Sequence, residues 1–309
     1  MSLLVRAFLT VEATFLIGDG NCMFRAISRQ YFKADPQMPW NIYIENGGKR
    51  MDINDKEWFE ADMPLHAVVR NLSVDSLEDL LKDYNPDVLI IATTADSHSS
   101  HALHAIKAGI PHILLEKPVA TSLLDCMKLQ KACEQNQTKL AVNHQMRYLT
   151  QYQMPKTISN SEQNGGFQSM TVTAGNFGMA MNGTHYLEAF RFIADEAPKE
   201  VSAWFDSETL ANPRGEQFED MSGCIRVTTE PGKRLYIDTS ADQGHGVQVT
   251  YMSRNGRITV DELSGAMTSV VRMNQHLQAP TSRYGMPATI EQLQIPPVEL
   301  VNSTKAVLQ

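Results

Sequence analysis

The stretch that decides the fold is Pro86–Pro118, PDVLIIATTADSHSSHALHAIKAGIPHILLEKP. Its apolar run Val88–Ala92 is too short for a globular helix and rich in branched residues, which predicts a buried strand of a parallel sheet. Thr93, Thr94, Asp96, Ser97 and His98 follow directly, at the carboxyl end of that strand, where open α/β sheets bind ligands. A helix comes next, with Ala102, Leu103, Ala105 and Ile106 on its apolar face, and Gly109 is placed to end it in the left-handed conformation. A second apolar strand, Ile113–Leu115, runs into Glu116-Lys117-Pro118. One β-α-β unit thus delivers two polar clusters to the same rim of a sheet. A lysine set there by a strand end and a rigid proline is a candidate acid–base group.

Working outward, residues 14–20 (TFLIGDG) predict a first strand entering a Gly-rich turn, Cys22–Phe32 a helix, and Trp40–Glu45 a second strand. Ser76–Lys82 reads as a short helix, Leu123–Gln135 as an amphipathic helix, and Leu140–Val142 as another core strand. Strands alternating with helices imply a parallel, doubly wound sheet. The pattern changes near residue 150. Gln151–Gly166 is polar, carries Pro155 and Gly165-Gly166, and predicts a linker or surface loop. Beyond it, Phe167–Ala174, Glu200–Asp206, Gly223–Thr229, Arg234–Thr239, Val247–Met252 and Arg257–Asp261 mostly alternate with period two, as sheet with one covered face does. His185–Ala194 is a helix between the first two of these. The expected architecture is α/β: a Rossmann-type doubly wound parallel sheet over residues 1–145, then an α+β domain over 146–309 with a mostly antiparallel, open-faced sheet suited to oligomerisation.

Composition narrows the classes. The chain has 309 residues, 42% apolar, with a net charge of −8. That balance argues against nucleic acid, whose phosphates need a basic face. Cys22, Cys126, Cys133 and Cys224 show no Cys-x-x-Cys spacing and read as reduced thiols of a cytoplasmic protein. No run approaches the roughly 18 apolar residues that span a bilayer. The apolar N-terminus is interrupted by Arg6 and Glu12, unlike a signal peptide. No His/Cys/Asp cluster has metal-ligand spacing, so no metal site is expected.

The Pro86–Pro118 series resembles the glucose–fructose oxidoreductase/inositol dehydrogenase (Gfo/Idh/MocA) family, whose members carry a Thr-Pro…His turn, an Ala-Gly helix end and a Glu-Lys-Pro strand end at this spacing. Here Thr94 replaces the usual proline. The resemblance continues through Leu140–Tyr148 (LAVNHQMRY) and Gly183–Glu188 (GTHYLE). It implies a Rossmann domain that binds a nicotinamide dinucleotide. Gly18-Asp19-Gly20-Asn21, between a predicted strand and helix, has the context of a pyrophosphate-binding turn, although Met23 occupies the third glycine position. Glu45, at the predicted end of the second strand, suits ribose hydroxyls and favours NAD; Lys49 and Arg50 leave NADP as the alternative, and all three also read as ordinary loop charges. The rim adds Thr93, Thr94, His98 and Glu116 to the expected cofactor contacts.

The resemblance further implies that Lys117 binds the substrate hydroxyl and assists proton transfer, with His185 as the acid–base or orienting group. Lys117, His144, Arg147 and Asn182 form the expected substrate set. Many members place an aspartate four residues before this histidine, where Met181 stands here. His185 also reads as a helix cap, Lys117 as a salt-bridged strand-end residue, and Arg147 as a partner of Glu116 rather than of a substrate carboxylate or phosphate. The expected function is an NAD(P)-dependent dehydrogenase acting on the CH–OH group of a sugar, polyol or sugar-like alcohol, in a homo-oligomer without nucleic-acid or membrane partners. A catalytically silent nucleotide-binding sensor is the alternative that Met23 and Met181 keep open. A third class comes from Gly18–Ser28 (GDGNCMFRAIS), which resembles the nucleophile segment of ovarian-tumour-type (OTU) cysteine proteases, with Cys22 at a helix N-terminus. That likeness covers about eleven residues, and no second segment supplies a poised histidine. Family members commonly close with a helix on the first domain. Ser303–Gln309 reads as the opening of a helix, so the chain reads as either truncated or unusually short at its C-terminus.

Overall fold

A computed structural model describes the backbone strands Ala13–Ile17, Tyr43–Asn46 and Lys49–Asp52, the helical residues Leu77 and Leu81, and residues 86–175, 177–210 and 220–296. The chain divides into two compact units between Gln145 and Met146.

In the first unit the strands are β1 (Ala13–Ile17), β2 (Tyr43–Asn46), β3 (Lys49–Asp52), β4 (Val88–Ala92), β5 (His112–Leu115) and β6 (Lys139–Val142). β1-β4-β5-β6 form a four-stranded sheet in that order, and every pairing is parallel. Ile17 pairs with Ala92, and Ile91 with Leu115, which pairs with Val142. The carboxyl ends of all four strands are therefore nearly level. Helix α1 (Ala95–Lys107) buries Ala102, Ala105 and Ile106 in one core with Leu89, Ile91, Ile113 and Leu115. Each such Leu or Ile side chain contributes about 1.5–3 kcal/mol on burial. Gly109 lies just past the helix at φ +86°, and nothing stands within 4 Å of where a Cβ would be. It is there for its backbone angle, not for space. Helix α2 (Leu123–Asn136) starts at Ser122, whose Oγ accepts from the Asp125 N–H at 3.1 Å.

The second strand departs from expectation. β2 is not a strand of the parallel sheet; it pairs antiparallel with β3 as a separate two-stranded ribbon, Glu45 opposite Arg50. The physical reason is readable afterwards: Gly47-Gly48 between two short runs is a two-residue hairpin signal. Glu45 thus does not stand at the end of a doubly wound strand. The turn at Gly18, Gly20 and Asn21, with the helix expected over Cys22–Phe32, lies outside the described residues.

The second unit holds helices α3 (Thr150–Ser159) and α4 (Met179–Ala194). Its strands are β7 (Phe167–Gly175), β8 (Pro198–Leu210), β9 (Asp220–Thr229), β10 (Arg234–Ser240), β11 (Gln248–Ser253), β12 (Gly256–Asp261), β13 (Ala266–Arg272) and β14 (Ala288–Gln294). They form one sheet in the order β14-β13-β12-β11-β7-β10-β9-β8, antiparallel except for the β7–β10 pair. Alternate residues Met170, Val172, Leu235, Ile237, Val249, Tyr251, Ile258 and Val260 meet Tyr186, Phe190 and Ile193 of α4 in the core. α3 replaces the expected loop. Tyr152, Pro155 and Ser159 are its buried positions, one face of a helix whose remaining surface is polar. β13 and β14 were not expected. The buried Ser269 breaks the apolar alternation of β13, and β14 is an edge strand with mostly exposed side chains.

Candidate active site

The rim of the parallel sheet is held by side chains that tie one strand end to the next. His98, on the first turn of α1, is 1% exposed. Its Nδ1 lies 2.6 Å from the Pro118 carbonyl and its Nε2 lies 2.9 Å from the Thr93 carbonyl. Both partners are acceptors, so a neutral ring donates to one of them and a protonated ring to both. Either way the ring joins the turn after β4 to the loop that carries Lys117. Ser97 Oγ donates to Thr93 Oγ1 at 2.7 Å. A hydrogen bond from the Thr94 side chain holds the Asp96 carboxyl below its usual range.

Glu116 anchors the other side of the same loop. Its Oε1 accepts from Asn143 Nδ2 at 2.7 Å and its Oε2 from the Lys117 N–H at 3.2 Å. The backbone continues the ladder: Glu116 N–H donates to the Ile91 carbonyl at 2.9 Å, and Asn143 N–H to that of Leu115 at 2.8 Å. Glu116 was expected as a cofactor contact, and both its oxygens serve the loop. Asn143, buried beside it, lies in the Leu140–Tyr148 stretch that carries the resemblance but was not among the expected site residues. His144 follows at the end of β6, its N–H on the Val142 carbonyl at 2.8 Å.

In the second unit, α4 carries Asn182 and His185, three residues apart and so on one side of the helix. His185 was expected at the start of this helix. α4 instead begins at Met179, so His185 is well inside it and is not its cap. The cap is supplied from elsewhere. Asp220, at the start of β9, accepts from the Ala180 N–H (2.7 Å) and the Met181 N–H (3.0 Å). Arg147 pairs with Glu188 of α4 at 2.6 Å and lies over the Phe192 ring. Glu188 also receives both Nε and Nη2 of Arg191.

α3 and α4 share a polar cluster with no counterpart in the sequence reading. Glu262, just past β12, accepts from Tyr152 of α3 and, at 2.8 Å, from Tyr186 of α4. Burial lifts the Glu262 carboxyl above its usual range and pushes both tyrosines far above theirs. Among the described residues, no group of His, Cys, Asp and Glu gathers as a metal site. No described helix is long and apolar enough to cross a membrane. The Cys224 thiol is pushed up to about 11 by its hydrogen bond to Asp238; Cys22 lies outside the described residues.

A parallel β-α-β-α-β sheet with a polar rim, followed by a large mostly antiparallel sheet, defines a two-part Rossmann-type architecture. Residues 59–144 match the model of the Gfo/Idh/MocA oxidoreductase family, which describes an NAD-binding Rossmann fold. The chain is similar to 1,5-anhydro-D-fructose reductase of Ensifer adhaerens, 37% identical over 75 residues, 24% of this chain and 22% of that protein. It is similar to inositol 2-dehydrogenase of Salmonella typhimurium, 24% identical over 187 residues, 54% of this chain and 55% of that one. The fold is shared with an NAD-binding protein from Listeria innocua (TM-score 0.57, 17% identity, covering 76% of this chain and 80% of that one). The matched segments thus span about half or less of these two curated relatives' own length.

Proposed function

We propose that the chain is an NAD(P)-dependent oxidoreductase acting on the CH–OH group of a sugar, polyol or sugar-like alcohol. The observation that carries this is the rim at Thr93–His98 and Glu116–Pro118, tied together by His98 and Asn143 within the segment that matches the family. The rim fits a dinucleotide: the strand ends are level, and Thr93 and Thr94 present only short side chains there. When bound, the nicotinamide supplies the hydride acceptor or donor. Thr93, Thr94 and His98 shape the rim against the cofactor, and Glu116 fixes the loop in which Lys117 stands. Lys117 holds the substrate hydroxyl and takes part in moving its proton, with His185 as the acid–base or orienting group, a role suited to the intrinsic pKa of imidazole. Asn182, His144 and Arg147 hold the substrate, Arg147 in competition with its pairing to Glu188. The names of the two curated relatives, a sugar reductase and a cyclitol dehydrogenase, support the substrate class.

The chain self-associates through the face of the large sheet that α3 and α4 leave bare, where Trp204, Tyr236, Met252 and Ile290 are exposed. Its acidic charge and unpaired cysteine spacing support a cytoplasmic protein without nucleic-acid or membrane partners. Turnover of a panel of sugars and polyols with NAD and NADP, followed by nicotinamide absorbance, tests the function. Oxidation of at least one polyol is expected. Tight nucleotide binding with no turnover of any member would replace the enzyme by a nucleotide-binding sensor.

A further inference from the structure

We infer that Asp220 is the positioning residue for α4, setting the rotation and height of Asn182 and His185 from the sheet beneath them; this rests on the function proposed above. α4 has no cap of its own: Gly178 precedes it and offers no side chain, so the first N–H groups of the helix need acceptors from another element. Asp220, 3% exposed, supplies them. Its Oδ1 accepts from Ala180 N–H at 2.7 Å and its Oδ2 from Met181 N–H at 3.0 Å, and Oδ1 also accepts from its own neighbour, Met221 N–H, at 3.0 Å. A carboxylate at that end also meets the positive end of the helix dipole.

Gly178 is shaped to this contact. A Cβ on Gly178 would fall 2.0 Å from Asp220 Oδ2 and 2.3 Å from its Cγ, where no real atom fits. Its backbone angle, φ −79°, is open to any residue, so space is what requires glycine here. One turn further along, Tyr186 donates to Glu262 at 2.8 Å. The helix is therefore pinned to the sheet on both sides of the Asn182–His185 segment, by Asp220 before it and Glu262 after it. Met181 carries no carboxylate of its own, but its N–H rests on one.

The test uses Asp220→Ala, Asp220→Asn, Gly178→Ala and the double variant Gly178→Ala/Asp220→Ala in the full chain. A displacement of about 1 Å in a positioned group can cost about 100-fold in rate. Asp220→Ala should therefore lower kcat by about 10- to 100-fold, with the KM for the nicotinamide cofactor unchanged. Asp220→Asn, which keeps one acceptor oxygen, should fall between it and the wild type. Gly178→Ala should mimic Asp220→Ala, and the double variant should be no worse than the poorer single, because both act on one contact. Unchanged kcat in Asp220→Ala with a lower melting temperature, or additive losses in the double variant, would overturn the proposal. Hydrogen exchange at the Ala180 and Met181 amides provides a readout independent of turnover. Protection in the wild type that is lost in both single variants upholds the clamp, and equal exchange in all of them overturns it. If the wild type turns over no sugar or polyol, the function above fails while the exchange result still decides the clamp.

Discussion

The rim of the first unit and the N-terminal half of α4 in the second solve the same problem by opposite means. Both fix a candidate proton-handling residue, Lys117 or His185. At the rim, the ties join neighbours in the β-α-β series: His98 to Pro118 across 20 residues and Asn143 to Glu116 across 27. At α4, the ties come from the sheet far along the chain: Asp220 to Met181 across 39 residues and Glu262 to Tyr186 across 76. A parallel sheet repeats its strand ends at one edge, so a short motif can complete a rim there. A helix resting on an antiparallel sheet is held by whichever strands pass beneath it.

The largest effect is expected where the two regions would do chemistry. Lys117→Ala should lower turnover at least about a hundredfold, the usual scale for a positioned acid–base group, with little change in nucleotide affinity. His185→Ala should do the same to a smaller extent. Steady-state kinetics beside a binding titration checks both, and a loss of nucleotide binding in parallel with turnover would mean that Lys117 holds the cofactor instead. Next is the rim staple. His98→Ala removes the ring that joins the Pro118 and Thr93 carbonyls, and an acceptor left unsatisfied away from water costs about 1–3 kcal/mol. Chemical denaturation should show a loss on that scale. No loss would break the claim that local ties fix the rim.

Glu262 sharpens the other half of the comparison through its pH dependence. Burial raises its pKa in the folded protein, so the folded state binds the proton more tightly than the unfolded chain. Its contribution is complete below the unfolded carboxyl value of about 4.3 and is lost as pH rises through the higher folded value. The melting temperature of Glu262→Gln relative to the wild type should therefore rise as pH is raised from about 4 towards neutrality. A constant difference across that range would place the carboxyl in an unperturbed setting. The smallest effect is expected at Cys22: Cys22→Ser should leave turnover near the wild-type level. Labelling of wild type, but not of Cys22→Ser, by a ubiquitin-based activity probe would make the cysteine-protease reading primary.

Much of the first unit was legible because its signals are local. Val88–Ala92, Gly109 and the Glu116–Pro118 strand end each announce themselves within a few residues, and β4, the left-handed Gly109 and β5 lie where they indicate. The hairpin of β2 and β3 escaped because Tyr43–Asn46 has the length of a parallel strand, and its deciding signal, Gly47-Gly48, lies just beyond it. α3 escaped because its buried face is only Tyr152, Pro155 and Ser159, two of them poor apolar markers. The start of α4 escaped for a deeper reason. Gly178 and Met179 carry no capping signal, since the cap is Asp220, and nothing near Asp220 in the sequence points back to position 180. The Tyr152–Glu262–Tyr186 cluster is hidden in the same way: a glutamate after a strand reads as solvated until the sheet folds it under two helices.

Fluorescence titration of NADH and NADPH into the wild type and Lys117→Ala, paired with polyol turnover by the same samples, tests the central claim most directly. The account predicts saturable binding of at least one nucleotide to both proteins, with turnover only in the wild type. If neither nucleotide binds the wild type at millimolar concentration, the rim does not receive a dinucleotide and the oxidoreductase assignment is contradicted.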